Sequence, residues 1–146
     1  MTTKEVKNWL SRAYHMKRHR AELERARRET FEQLTSMTAQ TGSNGVSGSK
    51  EPHKYDALVA LNAELDAQIS AIANAEREIL RIIDTIDDYS QRRLLYLRYV
   101  ESRSWDDIAM EMSYSKRSVF YIHGEALHAV EPFIAKKIAL NCTHPL

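Results

Sequence analysis

Two cations and two aromatic rings fall within one short stretch: Lys116, Arg117, Phe120 and Tyr121. On a helix they would occupy the outward side of its N-terminal end, opposite Val119, Ile122, Ala126 and Leu127, whose spacing makes a buried face. Lys and Arg donate to guanine O6 and N7, and aromatic rings cover a thymine methyl or lean on sugars. Ser104 and Ser115 stand where N-caps belong. Together with Ser118 they can hold phosphate oxygens, because helix N-termini favour anions. The chemistry implied is recognition of double-stranded DNA rather than the making or breaking of bonds.

Other candidate chemistry is weaker. His15 and His19 stand four apart on one helical face, a metal-holding spacing, but no HExxH pattern surrounds them, so they read as surface or interhelix residues. Cys142 and His144 lack a second cysteine and read as incidental. Asp84, Asp87 and Asp88 cluster where a helix should end, which is electrostatically unfavourable, and read as solubilising residues leading into a turn. His123 and His128 lie on or just beyond the basic and aromatic helix, where His123 can reach a phosphate. The glycines between 38 and 53 lack phosphate-loop spacing. No Ser/His/Asp or Cys/His arrangement is present. We therefore expect no catalytic residue, no metal, no cofactor and no enzyme.

The elements that must position these residues read as helices throughout. Residues 104–111 form a short helix carrying Trp105, Ile108 and Ala109, and a turn at Met112–Tyr114 leads to a helix over 115–130. A helix over 90–100, capped by Ser90, precedes them, and Pro132 should mark a boundary before a last turn, FIAKKIAL. Residues 3–37 read as one long helix with an imperfect stripe of Val6, Trp9, Ala13, Met16, Leu23, Leu34 and Met37, interrupted by Arg20, Arg27 and Thr30. Residues 38–53 are expected to be a mobile loop. Over 54–87 a heptad recurs at Leu58, Leu65, Ile72, Ile79 and Ile86. Tyr55, Asn62, Ile69, Glu76 and Ile83 hold the companion positions, so Asn62 and Glu76 are polar intrusions in a coiled-coil seam. The expected fold class is all-α: a helical hairpin over 1–88 and a three-helix unit with a helix-turn-helix over 89–146.

Composition sets the outer bounds. With 4 Gly and 3 Pro in 146 residues, a collagen-like or Pro-rich linker protein is excluded, and the count argues against a many-turned sandwich. A single cysteine and no long apolar run argue for a reducing, cytoplasmic setting and against a membrane. The net charge of +1 hides a segregation. Residues 1–37 carry +4 and residues 55–88 carry −6, which suits two helices packing with complementary faces; the basic face can also touch nucleic acid. Residues 104–127 sum to −2, so tight DNA binding calls for Arg92, Arg93, Arg98 and Arg103 upstream, a second subunit or a partner.

Residues 89–128 resemble region 4 of the sigma-70-type factors through RRLLYLRY, SWDDIA and YSKRSVFYIHGEAL. The whole chain is similar in architecture to phage and prophage late-gene transcriptional regulators of the ArpU/RinA-like type. The resemblance implies that Ser104 starts a backbone-contacting helix and that Lys116, Arg117, Phe120 and Tyr121 face the major groove. It also implies that Asp107 and Arg98 pair as a structural salt bridge. Phe120 and Tyr121 stand where the sigma factors carry Arg and often Gln, so two polar base-readers are replaced by aromatics. The expected function is sequence-specific, DNA-binding transcription regulation in a bacterial host cell, with the hairpin serving a homodimer or contact with RNA polymerase. The alternative is a coiled-coil module that binds a partner such as RNA polymerase without reading DNA.

Overall fold

The computed structural model describes residues 1–44 and 52–142. Its regular elements are all helical: α1 (Thr3–Asn44), α2 (Pro52–Asp84), α3 (Tyr89–Leu95) running into a π-helical turn (Tyr96–Val100), α4 (Trp105–Met112) and α5 (Lys116–Cys142). The all-α expectation holds. No described helix is long and apolar enough to cross a membrane.

Several expected boundaries move. α1 does not end at Met37 but continues to Asn44. The Thr35 and Thr38 hydroxyls donate back to the carbonyls of Phe31 and Leu34 at 2.9 Å, so these side chains are satisfied within the helix and do not break it. The remainder of the expected loop, 45–51, lies outside the described residues. α2 opens on Pro52, whose missing N–H costs nothing in a first helical turn, and ends at Asp84. The cap of α3 is Asp88, not Ser90: its carboxylate accepts the Gln91 N–H at 2.9 Å. That also gives one acid of the Asp84–Asp88 cluster a structural task. Pro132 is no boundary, because α5 passes through it. Val130 and Ile134 are both fully buried and hold the helix on either side of the missing hydrogen bond.

By contacts the chain forms two compact units, Met1–Met16 with Ala75–Leu146, and Lys17–Asn74. They do not coincide with a division after Asp88. The reason is apolar: Val6, Trp9, Leu10 and Ala13 from the start of α1, and Ile79, Ile83 and Ile86 from the end of the second heptad, join one core with Leu94, Leu95, Leu97, Ile108, Val119, Ala126, Leu127, Val130 and Ile134. Each of the larger side chains is worth about 1.5–3 kcal/mol on burial, so this core dominates the unit that holds it.

In the second unit, the segments of α1 and α2 run antiparallel. Residues 24–31 of α1 share a groove with Asn62 and Asp66, whereas residues 31–39 share one with Tyr55, Val59 and Asn62. Arg27 bridges to Asp66 at 2.7 Å, one instance of the opposed charges on the two helices. Leu23, Thr30 and Leu65 are buried here, while Leu58, Ile69 and Ile72 are half-buried and Tyr55 is exposed. Thr30, which interrupts the apolar stripe, is tolerated inside because its hydroxyl donates to the Ala26 carbonyl at 2.8 Å.

Candidate nucleic-acid interface

α4 and α5 meet across a tight turn. Ser104 caps α4 by accepting the Asp107 N–H at 3.1 Å. Ser113 closes α4 in the left-handed conformation (φ 59°), and the Tyr114 N–H reaches back to the Ala109 carbonyl at 3.0 Å. Ser115 then accepts the Ser118 N–H at 3.1 Å and donates to the Ser118 hydroxyl at 3.0 Å. Three residues therefore separate the helices, Ser113–Ser115 rather than Met112–Tyr114. Both caps are where the sequence places them. Val119, Ala126 and Leu127 are buried and Ile122 half-buried, as their spacing requires.

On the other side of α5, Lys116, Arg117, Ser118, Phe120 and Tyr121 are all exposed, Tyr121 to 70%. Arg117, Tyr121, Gly124 and His128 follow one another at helical spacing along the solvent face. Gly124 is open: a Cβ placed there would meet nothing within 4 Å. Lys116 spans to Asp106 on the first turn of α4 at 3.0 Å. Both partners are more than half exposed, so the pair holds Lys116 weakly and yields it to a competing anion at little cost. Phe120 is less free, since its ring packs edge-on against Trp105 at 5.2 Å.

The upstream arginines have partners within the fold. Arg93 bridges to Glu111 at 3.2 Å, Arg103 to Glu101 and Glu111 at 3.4 Å, and Arg92 donates to the Ile86 carbonyl at 2.9 Å. The expected Arg98–Asp107 salt bridge is not formed. Arg98 lies over the Trp105 ring at 4.3 Å and donates to the Arg103 carbonyl at 2.9 Å. The ring face and the carbonyl together hold the guanidinium of Arg98, which the π-helical turn Tyr96–Val100 carries, on these partners instead of on the Asp107 carboxylate.

His123 is the residue most at odds with its sequence reading. It is 6% exposed, with its Nε2 in a 2.8 Å hydrogen bond to the Tyr99 hydroxyl and its ring edge-on to Trp105 at 4.7 Å. Burial, and then the positive charges of Lys7 and Arg98, push its pKa down to about 4, so it is neutral at physiological pH. Burial likewise pushes Tyr99 up to about 12, against the opposing pull of Arg98. A phosphate contact by His123 is therefore replaced by a structural one. His15 and His19 also part company: His15 packs on Tyr14, whereas His19 lies 3.9 Å from Glu22. His144 and the side chain of Cys142 lie outside the described residues.

No curated protein and no solved structure matches the chain. Residues 33–131, a stretch that contains α4, the turn and the exposed face of α5, do match a family, and on that extent the chain belongs to the family described as protein of unknown function (DUF1492).

Proposed function

We propose that this protein is a sequence-specific, DNA-binding transcriptional regulator of phage or prophage type that reads double-stranded DNA with α5. The observation that carries the reading is the first two turns of α5. Arg117 and Tyr121 project from a serine-capped helix seated on α4, with Lys116 loosely held beside them. Such a helix presents its N-terminal residues to the major groove. Gly124 supports the same reading. Gly costs a helix about 1 kcal/mol against Ala. Nothing inside the fold needs its small size, whereas a surface drawn close to α5 would.

The test is selection of genomic fragments by the purified protein, followed by binding to the enriched fragment across a salt series. Lys116→Ala and Arg117→Ala are each expected to weaken specific binding by about 1–3 kcal/mol where they contact a base, and to flatten the salt slope. Gly124→Ala should stabilise the fold while weakening DNA binding. No enrichment at low salt would overturn the proposal.

A second reading has its own observation. Phe31, Tyr55, Val59 and Leu61 on the α1–α2 hairpin are exposed apolar side chains. They suit a partner-binding surface, for RNA polymerase or for a second copy of the chain. If that surface is the whole function, the Lys116 and Arg117 variants change nothing.

A further inference from the structure

A cleft of about 610 Å³ opens between the first turns of α1, the π-helical turn and the start of α4 and α5. Its volume lies in the usual range for small-molecule sites. Two cations from distant parts of the chain converge on it, Lys7 from α1 and Arg98 from the π-helical turn, and the His15 ring lines it beside them. Among the described residues that line it there is no carboxylate. Trp105 and Phe120, packed edge to face at 67°, supply an angled aromatic wall, and Ser11 and Ser102 add hydroxyls. Arg98 is held in place by the Trp105 ring and by the Arg103 carbonyl, which takes one of its five N–H donors. The hydrogen-bonded Tyr99–His123 pair also faces the space and, being neutral at physiological pH, adds no repulsion of its own to an anion.

We propose that this cleft binds a small anionic ligand with an aromatic ring, of the nucleoside phosphate class, its phosphate held by Lys7 and Arg98 and its base laid against Trp105 and Phe120. Cations alone would describe a site for any anion, and the aromatic wall alone a site for any flat apolar molecule. Their convergence selects a ligand carrying both features, with hydroxyl partners between them. The site does not depend on the DNA reading, although Phe120 and Trp105 belong to both the cleft and the helix-turn-helix.

The test uses the full chain, titrated calorimetrically and by tryptophan fluorescence with adenosine and guanosine mono- and diphosphates, the parent nucleosides, inorganic phosphate and a short DNA duplex. A nucleoside phosphate is expected to bind at least about tenfold more tightly than its nucleoside or inorganic phosphate. Lys7→Glu, at an exposed position, and Ser11→Glu, which sets a carboxylate in the wall, should each weaken it by about tenfold or more with an unchanged circular dichroism spectrum. The Lys116→Ala/Arg117→Ala double variant should bind it normally. Inorganic phosphate binding as tightly, no binding in the millimolar range, or full binding by Lys7→Glu would each overturn the proposal. So would loss of duplex binding in Lys7→Glu with no free nucleotide bound, which would assign Lys7 to a DNA backbone instead.

Discussion

His123 and Asn62, one in each compact unit, are buried on opposite terms. In the unit built from Met1–Met16 and Ala75–Leu146, His123 sits in a dense apolar core and is satisfied by Tyr99 at 2.8 Å. In the unit Lys17–Asn74, where Leu23 and Leu65 are the buried apolar side chains, the amide oxygen of Asn62 is buried without a hydrogen-bond partner. A dense core enforces geometry and can afford a polar residue once that residue is bonded. A two-helix seam is thin, and an unpaired amide oxygen subtracts from what little holds it together.

The contrast is open to direct attack. The largest effect should come from Ile108→Ala, in the dense core, which is expected to cost about 2–5 kcal/mol in urea unfolding. Leu65→Ala in the thin seam should cost less, about 2 kcal/mol, the lower end of the same range, because two helices close more readily on the lost volume. Equal losses would abolish the difference between the units.

Next comes pH. His123 has a folded pKa of about 4 against the ordinary 6.5 of a histidine, so between these values the unfolded chain binds a proton that the folded one refuses. Stability is complete above about pH 6.5 and falls by about 1–3 kcal/mol as the pH drops toward 4, levelling below that. His123→Gln keeps a hydrogen-bonding side chain without the titration. The difference between its unfolding free energy and that of the parent should therefore shrink on acidification. A pH-independent difference would sink the assignment.

The smallest change is expected from Asn62→Leu. Removing a buried, unpartnered carbonyl oxygen should stabilise the hairpin unit by about 1 kcal/mol, seen as a higher urea midpoint. Light scattering on the same variant would show whether Asn62 restrains self-association, as a polar residue in a coiled-coil seam can. Destabilisation would mean that the amide has a task the seam does not reveal.

Much of this arrangement is legible in local sequence, and the rest is hidden for identifiable reasons. Ser104 and Ser115 are readable as caps because capping is a short-range affair, and so is the buried face of Val119, Ala126 and Leu127. The seam residues Ile79, Ile83 and Ile86 are buried as their heptad requires, but the core they enter also takes in Val6, Trp9 and Leu10, and no local pattern announces that. Leu10 lies off the predicted stripe and is fully buried. The partners of Arg98 escape prediction because a resemblance to a family carries over positions and not contacts, and the Trp105 ring and Arg103 carbonyl are met only in the folded chain. The cleft is invisible in the sequence for the same long-range reason: Lys7 and Phe120 are brought together only by tertiary packing.

Pro132 removes one rung from the hydrogen-bond ladder of α5 without ending the helix. Lacking an amide proton, it cannot bond the carbonyl of His128, an exposed residue. In hydrogen exchange, amides between Val119 and Val130, where the buried face is continuous, are expected to need opening of the core. Those beyond Ile134, where the helix is mostly exposed, exchange through local fraying on a faster clock. One continuous helix is thus expected to exchange on two clocks, a slow one along its buried stretch and a fast one toward Cys142.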